Sequence, residues 1–176
     1  MWYNLISNLD SLNQKGEKMP QVVNVISRGK WPANVISNFA AIAFDFRGAH
    51  CASIEGFIQS LKFSDPKEQM EVCLLSGKEA KRHGRAKAKT MTKLEIWWAG
   101  EEFTFQSDDH FDLIEQALRA KFSQSEEAQE ALLATGEAEL VHNLGRPEPR
   151  LSSLPAKKFV AMLTKIRQEL QATVTA

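Results

Sequence analysis

Ser53-Ile54-Glu55-Gly56-Phe57-Ile58-Gln59-Ser60-Leu61-Lys62-Phe63 carries two periodic patterns in one short stretch. Ile54, Phe57, Ile58 and Leu61 recur at i, i+3, i+4 and i+7, the spacing of an apolar stripe on a helix. Glu55, Gln59 and Lys62 recur at i, i+4 and i+7 and share a neighbouring face. Ser53 stands where an N-cap is needed. An acid, an amide and an amine in a row form either a solvated surface or the floor of a polar pocket. Glu55 falls in the first helical turn, where free N–H groups and the positive end of the helix dipole favour an ionised carboxylate. Such a group suits a nucleophile, a general base or a stabiliser of positive charge. Equally, it can do no more than complement the dipole.

Working outward, Val22 to Ile26 is β-branched and predicts a strand. Gly29 to Asn34 is a loop, and Ile42 to Phe46 with Gly48 predicts a hairpin. Asp65-Pro66 opens a second helix, with Asp65 as N-cap and Pro66 in the first turn. Ser76-Gly77-Lys78-Glu79 has the form of a capping box, with Gly84 as a stop. Leu94 to Trp98, a turn at Gly100, and Phe103 to Phe105 predict another hairpin. Trp97, Trp98, Phe103 and Phe105 alternate along it, so opposite faces carry aromatic groups: one joins the core, and the other either packs as core too or stacks on a base. Ser107-Asp108-Asp109 starts a strong helix with Phe111, Ile114, Leu118 and Phe122 as its stripe. Ser125 caps the next helix, and Glu137 to His142 predicts a short strand. Residues 143–155, rich in Pro and Arg, form a long loop. Pro155 opens a terminal helix with Phe159, Leu163, Ile166 and Leu170 on one face. The sum is an α+β fold: a single compact, predominantly helical domain over residues 21–176 with short strands and a β-hairpin. Residues 1–20 read as an N-terminal extension.

Composition narrows the function classes. The chain has 176 residues, 43% of them hydrophobic and 25% charged, as in soluble globular domains. Formal net charge is zero, so no general electrostatic grip on nucleic acid is expected, although a local basic pocket is compatible with it. No apolar run reaches membrane-spanning length, and no membrane partner is expected. Cys51 and Cys73 suit a reduced, cytoplasmic setting as buried small hydrophobes. The four histidines show no metal-ligand spacing, so neither a metal site nor a cofactor is expected.

Ser53 to Phe63 resembles the Thr-x-Glu-His-Tyr-Phe-Gln-Ala-Gln-Lys-Phe segment of the YbiA-like superfamily, also called NADAR. Ser37-Asn38-Phe39 is similar to that family's Ser-Asn-Phe motif. Gly77 to Arg85 resembles its Ala-x-x-x-Gly-Arg segment, and Ala117-Leu118-Arg119-Ala120-Lys121-Phe122-Ser123-Gln124 its Ala-Leu-x-x-Lys-Phe-x-Gln. Leu132 to Gly136, Leu140-Val141, and Met162-Leu163 with Ile166-Arg167 follow in the family's order.

The resemblance implies a YbiA-like domain with a pocket for a ribose phosphate or ADP-ribose. It implies an N-glycosidase that hydrolyses the C1′–N bond of ADP-ribosylated guanine or of a ribosylamino-pyrimidine phosphate from riboflavin synthesis. The partner is then a small nucleotide, an ADP-ribosylated base or a modified nucleic acid. Glu55 stands at the family's catalytic Glu. Breaking the bond develops oxocarbenium-like charge, which a carboxylate stabilises before activating water. An alternative route passes C1′ to a lysine as a Schiff base, with Lys62 or Lys30 as the amine. Lys30, Ser37, Asn38, Phe39, Gln59, Arg85, Trp98, Lys121 and Gln124 are the expected substrate-binding residues. Lys78 and Arg82 are further cations able to meet phosphates.

The chain departs from the family at Gly56, where His is usual, at His142, where an acid is usual, and across Asn143 to Arg150, which lacks the family's Trp-Gly-Asp and Gly-Lys-Asn segments. These changes fall where the leaving base is expected. A second class therefore stands beside the enzyme: a non-catalytic module that binds ADP-ribose or a related nucleotide.

Overall fold

The computed structural model describes residues 22–174. The extension expected over residues 1–20 lies outside them. Strand β1 (Val22–Asn24) is followed by the single-turn helix α1 (Ala33–Ile36) and the hairpin β2 (Phe44–Phe46) and β3 (Ala49–Cys51). Then come α2 (Ile54–Ser60), α3 (Pro66–Cys73), α4 (Gly77–Ala88) and the hairpin β4 (Glu95–Trp98) and β5 (Glu101–Thr104). The chain closes with α5 (Asp108–Gln124), α6 (Glu126–Leu133), β6 (Glu139–Val141) and α7 (Ala156–Val174). The architecture is α+β, mostly helical, with the strands in three separate pairs. No helix among the described residues is long and apolar enough to cross a membrane.

Local chemistry explains most of these elements. In the first hairpin Phe44, Phe46, Ala49 and Cys51 point inward. Its turn places Arg47 and Gly48 at φ 47° and 85°, the paired left-handed residues that a two-residue hairpin turn needs. Asp65 caps α3 by accepting from the N–H groups of Lys67 and Glu68, with Pro66 in the first turn. Ser107 and Ser125 cap α5 and α6 in the same way. The expected capping box at Ser76 does not form: the Ser76 side chain makes no cap hydrogen bond. Gly77 takes φ 50°, which turns the first residue of α4 away from the right-handed geometry that a box requires.

Helix α2 is central rather than amphipathic at a surface. All seven of its residues are buried, packed against α3, α4 and α5. Its apolar stripe joins the main core: Phe57 meets Phe46 edge-on at 5.2 Å and Trp98 at 4.9 Å between ring centroids. Gly56 explains how α3 comes so close. A Cβ there would lie 2.3 Å from the Leu75 carbonyl oxygen and 2.9 Å from that of Cys73. The glycine at position 56 is thus a packing requirement of this chain.

Two contacts fasten the second hairpin over α2. The Trp97 N–H donates to the Leu61 carbonyl at 2.8 Å. The buried Gln69 side chain donates to the carbonyls of Phe63 and Trp97 and accepts from the Ala99 N–H. At the far edge β1 and β6 pair in parallel, Val23 opposite Leu140. Asn24 and Asn143 exchange hydrogen bonds beside them at 2.9 and 2.8 Å.

Trp98, expected to touch substrate, is a core residue at 2% exposure, packed on Phe46 and Phe57. Alternation along β4 predicts that Ile96 and Trp98 share a face; that face is the inward one. Phe57→Ala removes the ring at the centre of this cluster and is expected to destabilise the fold by about 3–5 kcal/mol, read from chemical denaturation.

Candidate functional site

Ser53 starts α2 by accepting from the Gly56 N–H at 2.9 Å, which fixes Glu55 in the first turn. The carboxylate is 1% exposed, and three donors meet it. Asn38 Nδ2 donates to Oε2 at 2.6 Å. Gln59 Nε2, one turn further along α2, donates to Oε1 at 2.8 Å. Lys81 Nζ from α4 pairs with the same oxygen at 3.2 Å. Asn38 also accepts the Glu55 backbone N–H on its own carbonyl at 2.9 Å. An acceptor-only carboxylate fits this donor set.

Gln59 connects the acid to the amine. Its Oε1 accepts from Lys62 Nζ at 2.7 Å, and Lys62 also donates to the Gly84 carbonyl at 3.3 Å. Lys62, the amide of Gln59 and Glu55 therefore form one chain of hydrogen bonds. Burial pulls the Lys62 amine down to about 8, with the positive charges of Lys81 and Arg85 acting in the same direction and Glu55 opposing.

The close approach of α4 to α2 depends on Gly84. A Cβ there would lie 1.7 Å from Gln59 Oε1, so no other residue leaves the amide in place. Gly84 and Ala80 are the buried residues of α4, four apart and hence on one side of the helix. That spacing of small residues marks the side of α4 that packs closely, but it does not single out Lys81 as the partner of Glu55, which depends on how the two helices cross.

The structure brings together Glu55, Asn38, Gln59 and Lys62, with Phe39 half-buried beside Gly77 of α4. Arg85 is exposed on α4, close enough to Lys62 to act on its charge. Ser37 is buried and turned to its own loop, its Oγ accepting from the Phe39 N–H at 3.2 Å. Lys30 is exposed and makes no side-chain hydrogen bond to this group among the described residues. Gln124 grips the first hairpin: it accepts from the Asp45 N–H and donates to the Asp45 carbonyl, both at 2.8 Å.

Lys121 lies inside the fold rather than on its surface. Expected to meet phosphate, it is fully buried and donates to the carbonyls of Val35 and Ser37 at 3.0 and 3.2 Å. Desolvation lowers it to about 7. Its position three residues after Leu118 puts it on the inward face of α5, and its donors are used by backbone there.

A groove of about 420 Å³ lies elsewhere, between α5 and α7, lined by Phe111, Glu115, Met162 and Lys165 among others. It shares no residue with the Glu55 cluster. No group of three or more metal-ligating side chains occurs among the described residues.

Two expectations follow from the geometry. Gly84→Ala must displace Gln59 and is expected to cost about 1–3 kcal/mol, measured by denaturant unfolding, with loss of the Gln59 amide's native resonance. Lys62 should lose its proton with a midpoint near pH 8, read from the pH dependence of its acylation by mass spectrometry. The folded state then holds fewer protons than the unfolded between that pH and the ordinary lysine value of 10.5, so this group adds stability as pH rises across the window.

Comparison with known proteins identifies the setting of this cluster. The profile of the "Bacteriophage protein GP30.3" family matches residues 30–168. An uncharacterised 17.1 kDa protein from the Gp30–rIII intergenic region of Enterobacteria phage T4 is 26% identical over 149 residues, 84% of this chain and 98% of that protein. The N-glycosidase YbiA of Escherichia coli K12 is 34% identical over 108 residues, which is 61% of each chain. The solution structure of E. coli YbiA superposes with a TM-score of 0.62 at 24% identity, covering 86% of both chains. The chain therefore belongs to the bacteriophage GP30.3 protein family, a NADAR-type family, and carries the YbiA fold.

Proposed function

We propose that the protein is an N-glycosidase that hydrolyses the C1′–N bond of an ADP-ribosyl or ribosyl-phosphate conjugate, with Glu55 as its working carboxylate. The observation that carries this reading is the buried Glu55, oriented by Asn38 and Gln59 and one amide away from Lys62. The name and activity of E. coli YbiA support the reaction class. The unpaired Cys51 and Cys73 support a reducing, cytoplasmic setting.

The chemistry follows from the positions. As the C1′–N bond lengthens, positive charge grows on C1′ and the ring oxygen, and a fixed carboxylate stabilises it. Water then adds its oxygen to C1′, its proton passing by way of Glu55 to the departing nitrogen. Lys81 covers Glu55 and is its most exposed partner, with a side chain 41% accessible. A substrate phosphate competes for that ammonium and uncovers the acid. Lys78, Arg82 and Arg85, all exposed on α4, extend the cationic border.

Lys62 offers the second route. With its amine near 8, about a tenth is neutral at pH 7, enough to attack an opened C1′. The leaving base departs as its amine, and water later hydrolyses the imine and frees Lys62. The closure of Glu55 by Lys81 is the one observation that favours the non-catalytic reading, in which the cluster binds ADP-ribose without turnover.

Incubation with ADP-ribosylated guanosine and with a ribosylamino-pyrimidine phosphate distinguishes these readings. The wild type is expected to release base from one of them, and Glu55→Gln to lose at least about a hundredfold in kcat. Full activity in Glu55→Gln removes the assignment. Tight ADP-ribose binding without base release supports the binding module. Borohydride trapping of substrate on Lys62 marks the imine route.

A further inference from the structure

We propose that Lys121 is a positioning residue for Glu55, acting through the turn from Val35 to Asn38. The proposal rests on the reading of Glu55 as the working carboxylate. Lys121 occupies the inward face of α5, fully buried, with its ammonium 5.2 Å from the Phe122 ring centroid. It makes no ion pair among the described residues. Its two hydrogen bonds go to the carbonyls of Val35 and Ser37.

Those carbonyls belong to the end of α1, a helix of four residues. The last carbonyls of a helix lack partners within it, and a single ammonium here collects two of them. The next residue along is Asn38. Its side chain donates to Glu55 Oε2 at 2.6 Å, and its carbonyl receives the Glu55 N–H at 2.9 Å. The segment is therefore held by Lys121 from one side and applied to Glu55 on the other.

Glu127 acts on Lys121 only from a distance, without an ion pair, and burying an amine that has no direct partner charge is costly. A methionine would fill the same volume at lower cost, so packing alone does not account for an amine. What the amine supplies is a pair of donors aimed at two carbonyls flanking Ile36. Loss of those donors leaves the turn free to rotate Asn38 off the carboxylate while the core stays filled.

The test compares wild type, Lys121→Met and Lys121→Gln by amide correlation spectra, with Asn38→Ala used to assign the Asn38 side-chain amide. In folded Lys121→Met that amide is expected to move toward the position of a free amide. Base release that depends on Glu55 is expected to fall about ten- to a hundredfold in kcat, with KM within about twofold of wild type. Lys121→Gln keeps a donor for one carbonyl and should lie between the two; if only this variant folds, its Asn38 amide is read by the same criterion. An Asn38 amide unchanged from wild type overturns the proposal. Failure of both variants to fold also overturns it, because Lys121 would then serve the core as a whole. If the wild type releases no base, the reading of Glu55 fails, and the Asn38 amide still decides what Lys121 does.

Discussion

A carboxylate at the start of a buried helix has to be satisfied from within the protein, because water cannot reach it. Most of what surrounds α2 follows from that requirement at Glu55. The α1 turn delivers Asn38 to one oxygen, α2 itself supplies Gln59 to the other, and α4 adds the ammonium of Lys81. Two of these donors are themselves held in place. Gln59 is fixed by Lys62, and the Asn38 turn is braced by α5. The polar face of the helix is a buried network whose members depend on one another.

Two glycines set the distances on which this network depends. Gly56 admits the carbonyl end of α3 and Gly84 admits the Gln59 amide. Neither contact requires a left-handed backbone; both are cases in which a methyl group has no room. The apolar stripe of α2 faces the other way, onto Phe46 and Trp98. A short helix thus carries a hydrophobic core on one side and a charged one on the other, with glycine making both packings compatible.

The parts of this arrangement readable in the sequence are those fixed within a few residues. The α2 stripe, the Ser53 cap and the Glu55–Gln59 pair are local, and periodicity was enough to find them. So were the turns at Gly48 and Gly100. Lys81 escaped because its pairing depends on how α4 crosses α2, which no local spacing encodes. The burial of Lys121 and Trp98 is hidden in the sequence for a different reason. Lysine is rarely buried, so residue type outweighed a position that sat on the inward stripe of α5. For Trp98, alternation gives two faces without saying which is inward. The missing capping box at Ser76 came from Gly77, whose left-handed conformation no pattern of polar residues reveals.

The brace from α5 to the α1 turn also orders events in time. Lys121 lies 86 residues beyond Val35 and 84 beyond Ser37, whereas Asn38 and Glu55 are 17 apart. On a chain made from the N-terminus, the Asn38–Glu55 contact can form long before α5 has been synthesised. Closing so long a loop is entropically expensive and slow. During that interval the Asn38 turn would meet Glu55 without its brace from α5. Bracing of the turn is then a late step of assembly, added to a contact that is already made.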